Sequence, residues 1–319
     1  MRIILGTKLS RVPVMKALEK VQGIDLVALE DVCDVAPVAK DADALIISDP
    51  RGVDGANIAA ALREPGSKVR WIQLISAGFD GLMAHGVPDG VVVTNQGGAV
   101  SPAVAEHGMT LILSMARRMD EIYARSARGE WDKTFTPPQM SLEGRTLAIV
   151  GYGNIGRQLA RKAKAFDMKV IGLSRSADAD TYADEMHPMT ALHDVLAQAD
   201  VVALCIASTG ATRHTMDRAA FAAMKAGALF VNITRGETVD QVALRDALVS
   251  GHLRGAAIDV TDPEPLPPGD PLWSAPNIII SPHVAGAGGT GTGGRIVSVI
   301  VDNVERFKAG RPLIHLIKP

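Results

Sequence analysis

The chain has 319 residues, a length that suits one large domain or two domains of medium size. A content of 47% hydrophobic and 21% charged residues is that of a globular protein with real cores, which excludes a disordered or collagen-like chain. Because Lys+Arg 33 and Asp+Glu 35 leave a net charge of -2, we expect neither nucleic acid nor a membrane as the main partner.

The cysteines and the N-terminus indicate a reducing compartment. Cys33 and Cys205 are too few for a disulfide framework or a cysteine-based metal site. The apolar run at residues 3–5 is too short for a secretory segment, and no stretch approaches the ~18 apolar residues of a membrane span. No histidine pair has the helical spacing of zinc ligands. We therefore expect a cytoplasmic protein without a metal site.

Short apolar runs recur along the chain and predict strands that are buried on both faces. Segments with helical spacing separate them, which indicates α/β architecture with right-handed crossovers. So many strands exceed one comfortable sheet, and two doubly wound parallel-sheet domains are predicted. The runs lie at residues 3–5, 44–47, 71–74, 91–93, 147–150, 170–173, 201–204, 229–231 and 278–280.

Two glycine-rich stretches, residues 97–102 and 285–294, are candidate hinges. If both are hinges, the chain leaves its first domain near residue 100 and returns near residue 287. This predicts one discontinuous domain of residues 1–98 and 287–319, and an inserted domain of residues 99–286. The alternative is that both stretches are surface loops.

A glycine loop follows the apolar run at residues 147–150 and precedes a predicted helix at residues 158–166. In it, Gly151 allows a tight turn, Gly153 lets the backbone approach a pyrophosphate, and Gly156 lets the helix pack on the strand. Free amides at the helix N-terminus then attract the anion. The loop, Gly151, Tyr152, Gly153, Asn154, Ile155 and Gly156, predicts dinucleotide binding.

The next strand ends in Ser174, Arg175 and Ser176, with no acid before Asp178. An acid at this point would hold the ribose hydroxyl of NAD, whereas a guanidinium between two hydroxyls would bind the 2′-phosphate of NADP. We therefore favour NADP over NAD. The alternative is an ordinary exposed arginine.

Three reactive side chains follow three predicted strands of the second half. Arg235 follows residues 230–233, Glu264 lies in a proline-rich turn after residues 257–260, and His283 follows residues 278–280. The carboxyl ends of parallel strands form the edge at which open α/β sheets bind ligands. These side chains are therefore candidate catalytic residues.

With these motifs in this order, the chain resembles the D-isomer-specific 2-hydroxyacid dehydrogenase family over essentially its whole length. The resemblance implies a flavodoxin-like substrate domain formed by both termini, a Rossmann coenzyme domain between them, an interdomain cleft and a homodimer. The residues that carry it are 76–80, 104–107, 151–156, 232–236, 262–265 and 281–283.

The resemblance also implies catalytic and substrate-binding roles. Arg235 would grip the carboxylate of a 2-oxo acid and polarise its ketone. His283 would donate a proton to the ketone oxygen in reduction, and Glu264 would pair with His283 and favour its charged form. Backbone amides of the loop Ser76, Ala77 and Gly78 would hold the other carboxylate oxygen.

Further residues are expected at the cofactor by the same resemblance. Asp259 would position the nicotinamide carboxamide, unless it is only a turn residue. His107 is expected to be structural, in a dimer-forming helix. The other expected cofactor contacts, besides Arg235 and His283, are Cys205, Thr212, Ile233, Thr234 and Gly286.

Some positions depart from the family pattern or stay open. Residues 205–208 read Cys-Ile-Ala-Ser where a proline-containing loop is common. Arg51 could reach the site as a second cation and select a larger or dicarboxylic acid, or it is a solvated loop residue. Trp273 could contact substrate, or it packs against its own domain.

Together these features predict an NADP-preferring reductase of small 2-oxo acids, with glyoxylate or hydroxypyruvate favoured. One alternative keeps the fold and the catalytic residues but acts on phosphite or on a bulkier 2-oxo acid. Another is a dinucleotide-sensing protein that resembles a transcriptional corepressor.

Overall fold

The computed structural model describes residues 1–288 and 290–317. The predicted range 287–319 includes Gly289, Lys318 and Pro319, which lie outside the described residues. The strands within the described residues are β1 (Arg2–Gly6), β2 (Asp25–Leu29), β3 (Ala44–Ile47), β4 (Trp71–Leu74), β5 (Val92–Thr94), β6 (Thr146–Val150), β7 (Lys169–Ser174), β8 (Glu185–Pro188), β9 (Val201–Leu204), β10 (Leu229–Asn232), β11 (Gly255–Ile258) and β12 (Ile278–Ile280). The helices are α1 (Arg11–Leu18), α2 (Ala36–Ala39), α3 (Gly52–Arg63), α4 (Asp80–His85), α5 (Ser101–Arg117), α6 (Met119–Ala127), α7 (Asn154–Lys164), α8 (Leu192–Leu196), α9 (Arg218–Ala223), α10 (Gln241–Val249) and α11 (Thr290–Lys308).

The chain divides into two compact units. The first unit comprises Met1–Val100 and Gly288–Pro319, and the second unit comprises Ser101–Ala287. Each unit contains one parallel sheet. In the part of the chain that the structure describes, no helix has the length and apolar character needed to cross a membrane.

The first unit has a five-stranded sheet in the order β2-β1-β3-β4-β5, the doubly wound order of flavodoxin-like domains. Its two faces are covered by separate hydrophobic clusters. Ile4 belongs to one cluster, while Ile3 and Leu5 belong to the other, together with α11. Two-sided burial explains why β1 reads as a continuous apolar run. Trp71 of β4 is fully buried in this unit, and its Nε1 donates to Thr94 Oγ1 at 2.8 Å.

The second unit has a seven-stranded sheet in the order β12-β11-β10-β9-β6-β7-β8. This is the Rossmann order with one more strand, β12, at the end. The order reverses between β6 and β9, so the loops after these two strands diverge and leave a crevice at the carboxyl edge. The predicted pair of doubly wound parallel-sheet domains is confirmed.

Two strands were absent from the sequence prediction, and two strands that were used to place candidate residues end earlier than predicted. β2 and β8 are edge strands with largely half-buried residues, so they lack the apolar run of a central strand. β10 ends at Asn232 and β11 ends at Ile258, so Asp259 lies in a loop rather than in a strand.

Candidate active site

The glycine loop follows β6, and α7 begins within it at Asn154, four residues before the helix predicted at residues 158–166. Gly151 has φ +99°, and a Cβ there would lie 2.6 Å from the backbone carbon of Cys205. A Cβ on Gly156 would lie 2.5 Å from the Gly151 oxygen, so α7 approaches the loop as closely as glycine allows. At Gly153, by contrast, nothing lies within 4 Å of the position that a Cβ would take. The open side at the N-terminus of α7 fits a pyrophosphate.

The end of β7 is bonded directly to this loop. Both Gly151 N and Tyr152 N donate to Leu173 O at 2.9 Å. After it, Ser174 Oγ accepts a hydrogen bond from Ala177 N at 3.0 Å and closes a turn. Arg175 and Ser176 are exposed on this turn. Among the described residues Arg175 has no carboxylate partner, so its guanidinium is available to an anionic ligand.

A cluster that the sequence reading missed lies beside the same loop. Asp180 Oδ1 accepts from the Tyr152 hydroxyl at 2.9 Å, and Asp180 Oδ2 lies 2.7 Å from Arg157 Nε of α7. Burial by itself raises the pKa of Asp180, but the bonds from Tyr182 N and Tyr152 and the charge of Arg157 outweigh it and lower that pKa. Burial and Asp180 together raise the pKa of Tyr152. An acid after β7 was the available signal, but the sequence analysis noted Asp178 only as the first acid there and gave neither Asp178 nor Asp180 a role.

The loop after β9 borders the glycine loop. Cys205 N donates to Val150 O at 2.7 Å, and burial raises the pKa of the Cys205 thiol to about 12. Thr212 Oγ1 donates to Ala207 O at 2.7 Å and accepts from Thr209 N at 2.8 Å. In the structure Thr212 therefore stabilises its own loop, and the thiol stays protonated and unreactive at neutral pH.

Arg235 is carried by the loop after β10. Its carbonyl oxygen accepts from Asn232 Nδ2 at 2.8 Å and from Thr238 Oγ1 at 2.6 Å. Its Nη1 donates to Thr234 O at 2.8 Å. Thr234 is buried, and Ile233 is buried beneath it. The loop is thus rigid, and it holds Arg235 half-buried at the carboxyl edge of the sheet.

Gly236 joins this loop to the loop after β11. A Cβ on Gly236 would lie 2.0 Å from the backbone carbon of Thr261 and 2.1 Å from its oxygen. Gln241 bonds the same loop twice, with Nε2 donating to Asp262 O at 2.7 Å and Oε1 accepting from Asp262 N at 3.0 Å. Residues 235 and 264 are therefore held on two loops in direct backbone contact.

His283 and Glu264 form a hydrogen-bonded pair. His283 Nδ1 lies 2.8 Å from Glu264 Oε2, and Glu264 Oε1 accepts from Thr261 N at 3.3 Å. An ionised carboxylate only accepts hydrogen bonds, so the ring carries its hydrogen on Nδ1 and turns Nε2 away from the pair. The structure thus brings two of the three predicted catalytic side chains into contact, with Arg235 on the adjoining loop.

Asp259 anchors the loop that carries His283. Its buried carboxylate accepts from Val284 N at 3.1 Å and from Ala285 N at 2.8 Å, and it also accepts from the Ser281 hydroxyl. His107 Nε2 of α5 lies 3.0 Å from Ser281 Oγ. These contacts support a structural role for His107. Gly286 is exposed just beyond this anchor.

The predicted substrate loop belongs to the first unit. Ser76 Oγ donates to Gly78 O at 2.9 Å, and Asn95 Nδ2 donates to Ala77 O at 2.8 Å. The carboxylate of Asp49 accepts from Gly81 N and Leu82 N, at 2.9 and 2.8 Å, and joins this loop to the loop after β3. Arg51 follows on that second loop, exposed and with no ion pair among the described residues.

The remaining candidate features are a tryptophan and a metal site. Trp273 is 52% exposed, and its Nε1 donates to Pro267 O at 3.1 Å. It is therefore tethered to its own loop rather than packed in the core. Over residues 1–288 and 290–317, no group of three or more His, Cys, Asp or Glu side chains could hold a metal ion.

Comparison with known proteins identifies the family. Residues 109–285 match the model of the D-isomer specific 2-hydroxyacid dehydrogenase, NAD binding domain. The chain is 33% identical over 277 residues to a glyoxylate reductase of Korarchaeum cryptofilum, covering 85% of this chain and 81% of the relative. It is 34% identical over 256 residues to glyoxylate/hydroxypyruvate reductase B of Enterobacter sp., covering 78% of each.

A solved structure agrees over nearly the whole chain. It is that of a D-isomer specific 2-hydroxyacid dehydrogenase family protein from Aeromonas salmonicida, with a TM-score of 0.87 and 28% identity. The match covers 99% of this chain and 98% of that one. With its glycine loop, its paired histidine and glutamate and these relatives, the chain belongs to the D-isomer-specific 2-hydroxyacid dehydrogenase family and is an oxidoreductase that uses a nicotinamide cofactor.

Proposed function

We propose that this dehydrogenase is an NADP-preferring reductase of small 2-oxo acids, with glyoxylate and hydroxypyruvate favoured. The observation that carries the proposal is the 2.8 Å bond between His283 Nδ1 and Glu264 Oε2, at the same sheet edge as the glycine loop. Two relatives with the names glyoxylate reductase and glyoxylate/hydroxypyruvate reductase B support the substrate class.

The nicotinamide cofactor supplies the hydride when it is bound. Gly151, Gly153 and the amides that begin α7 would hold its pyrophosphate, because the loop is open on that side. Ile155 and Gly156 belong to that first helical turn, while Cys205, Thr212 and Thr234 would border the rest of the cofactor. Asp259 and Gly286 would define its nicotinamide end.

The acid substrate would be oriented by cations and amides. Arg235 would contact its carboxylate and its ketone oxygen, and so stabilise the charge that develops on oxygen. The amides of Ala77 and Gly78 would take the other carboxylate oxygen. His283 would deliver the proton from Nε2, because its Nδ1 is engaged by Glu264.

The preference for NADP rests on Arg175. It follows β7 on a turn that is bonded to the glycine loop, and no described carboxylate neutralises it. Asp180 is the competing residue, because a free acid here would favour the ribose hydroxyl of NAD. Its oxygens, however, are engaged by Tyr152 and Arg157. We therefore assign the 2′-phosphate to Arg175, with Ser174 and Ser176 beside it.

The test follows absorbance at 340 nm, with NADPH and NADH for glyoxylate, hydroxypyruvate, pyruvate, phenylpyruvate and oxaloacetate. Phosphite, which would be oxidised, is offered with NADP+ and NAD+. We expect NADPH with glyoxylate or hydroxypyruvate to give the highest kcat/KM. Arg175→Ala should lower kcat/KM for NADPH by about 10–100-fold and leave NADH nearly unchanged, since one charge-assisted contact is lost. Asp180→Asn should leave the ratio in favour of NADPH.

Each opposite outcome is informative. A preference for NADH that Asp180→Asn abolishes would overturn the assignment to Arg175. The best rate with phosphite or phenylpyruvate would replace the substrate class. Tight NADPH binding without turnover of any acid, unaffected by His283→Asn, would indicate a dinucleotide sensor.

The remaining proposals concern the role of Arg51, the oligomeric state and the cellular location. Oxaloacetate in the substrate screen tests whether Arg51 selects a second carboxylate, because Arg51→Gln should then lower kcat/KM for oxaloacetate more than for pyruvate.

The homodimer and the cytoplasmic location are carried over from the family resemblance and the cysteine content. Light scattering of the purified chain measures the first, and fractionation of the source cells measures the second.

A further inference from the structure

Two arginines meet at the edge of the second unit opposite to the candidate active site. Arg118 lies between α5 and α6, and Arg254 directly precedes β11. Together with Asn277 they line a cavity of about 10 Å³ at the amino ends of β10, β11 and β12. A volume of this order holds about one water-sized particle.

Arg254 has buried donors that nothing in the described chain satisfies. Its Nε and Nη2 are buried and have no hydrogen-bond partner among the described residues. No carboxylate in that part of the chain forms an ion pair with it. Arg254 as a whole is half-buried, but buried N–H donors of native structures are almost always hydrogen-bonded to an acceptor. The two N–H groups therefore form the donor side of a binding site whose occupant must be a hydrogen-bond acceptor.

Arg118 adds a second positive charge to the cavity and therefore cannot neutralise the charge of Arg254. It is 8% exposed, and its Nη1 donates to Asn277 Oδ1 at 2.8 Å. The nearest acid, Glu121, is shared, with its oxygens 3.5 Å from Arg118 Nε and 3.4 Å from Arg125 Nη2. Burial, and then the charges of Arg118 and Arg145, lower the pKa of Arg254. Positive charge in this cavity is thus only partly compensated.

We propose that this cavity binds a small monovalent anion of about the size of chloride between Arg118 and Arg254. The anion would accept from Nε and Nη2 of Arg254 and offset the repulsion between the two guanidinium groups. The cavity is too small for a phosphate or a dinucleotide. Asp120 also lines it, is exposed and would weaken the binding of an anion.

Thermal unfolding of the full chain in increasing chloride tests the proposal, with gluconate holding the ionic strength constant. We expect Tm to rise by about 3 °C and then saturate, because the anion stabilises only the folded state. Arg254→Met should abolish this rise and be at least as stable as the wild type in gluconate. Asp120→Asn should lower the chloride concentration of the half-maximal effect.

Arg117→Met is the matched control, because Arg117 is exposed and adjacent in sequence, and it should keep the wild-type response. A chloride response of the same size in Arg254→Met, or none in the wild type, would overturn the proposal. Formate in place of chloride shows whether a carboxylate can occupy the site, and a response to formate that Arg254→Met removes supports it. Should the variant fail to fold, wild-type crystals soaked in bromide decide: an anomalous peak beside Arg254 Nε is expected, and its absence contradicts the site.

Discussion

His283 adopts a backbone conformation that few residues other than glycine use. Its φ is 53°, in the left-handed region, where histidine is among the more tolerated side chains. The conformation is held from below, since His283 N donates to Asp259 O at 2.8 Å and the next two amides donate to the Asp259 carboxylate. The position of the imidazole is therefore set before any ligand binds, which is what a general acid requires.

Replacing Glu264 by glutamine tests its contribution to this arrangement. Glu264→Gln keeps the shape but removes the charge that His283 Nδ1 faces at 2.8 Å. We expect kcat to fall by about 10–100-fold with little change in KM, because the carboxylate acts on proton transfer rather than on substrate binding. Steady-state kinetics measure both. Glu143→Gln, an exposed acid elsewhere in the second unit, should behave as wild type.

Among individual residues, the sequence predicted functional side chains that directly follow apolar strands. It missed side chains that come together only because distant parts of the chain fold against each other. The three glycines of the loop have a fixed spacing after β6, and Glu264 and His283 follow neighbouring strands. Their roles could therefore be inferred from sequence position alone. Asp180 is different, because its partners Tyr152 and Arg157 come from the preceding strand–helix unit. Nothing local in the sequence distinguishes it from Asp178.

At the scale of elements, the loops after β10 and β11 are packed so closely at Gly236 that no side chain fits between them. Gly236→Ala would place a Cβ 2.0 Å from the backbone carbon of Thr261, and backbone cannot move aside as a side chain can. We expect a loss of about 2–4 kcal/mol in the free energy of unfolding and a fall in kcat/KM, since Arg235 and Glu264 sit on these loops. Urea unfolding and kinetics measure the two effects.

The matched substitution is Gly210→Ala. Nothing lies within 4 Å of a Cβ there, and its backbone is not in the left-handed region. It should therefore change stability by less than about 1 kcal/mol. Equal losses in both variants would show that the close contact at Gly236 is not the cause.

Asp200 connects the amino ends of three strands, and its charge makes that connection pH-dependent. Its carboxylate accepts from Thr146 N at 3.0 Å and from Lys225 Nζ at 2.7 Å, while its carbonyl accepts from Leu229 N. Burial raises the pKa of Asp200, but Lys225 and Thr146 outweigh it and the net pKa is lowered. A lowered pKa means that this stabilisation is present above the unfolded-state pKa of about 4 and is lost as the pH falls through the folded-state pKa.

Asp200→Asn should therefore be less stable than the wild type at pH 7, by about 1–3 kcal/mol. The difference should shrink as the pH falls from about 4 through the lowered folded-state pKa, because below that pKa Asp200 is neutral like the asparagine. Unfolding in urea between pH 3 and pH 8 gives the difference directly. A difference that is constant with pH would show that shape, not charge, makes the contribution.

Among the elements, the central strands were predictable, whereas two of the four edge strands, β2 and β8, were not. β1, β3, β6 and β9 are covered on both faces and read as apolar runs. Among the described residues β8 pairs only with β7, and none of its four residues is buried. Hydrogen bonding rather than hydrophobic burial therefore makes it a strand. Local pattern does not carry that information.

At the scale of the whole molecule, the described hydrophobic clusters each belong to a single unit. The proposed cofactor residues all lie in the second unit. We expect NADPH at about 100 times its Kd to stabilise that unit by about 2.7 kcal/mol. Hydrogen exchange read by mass spectrometry should show slower exchange in β6, β7 and α7 and little change in β1 and β3. Uniform protection of all strands would contradict this.

The order of strands was within reach of sequence reasoning because an alternation of strand and helix admits few doubly wound topologies. The split into two units was harder, since it required two glycine-rich stretches to be interpreted together. The Arg118–Arg254 cavity was out of reach, because its residues come from four separate segments that only the folded sheet assembles.

The burial of Trp71 gives the first unit an optical signal of its own. Of the three tryptophans, Trp71 is fully buried, whereas Trp131 is 90% exposed and Trp273 is 52% exposed. The second unit's indoles already meet water in the native state, so their emission has little further to shift to the red. A fluorescence transition therefore reports chiefly on unfolding of the first unit. A denaturation curve followed by tryptophan emission would show little of the unfolding of the second unit, which carries the glycine loop.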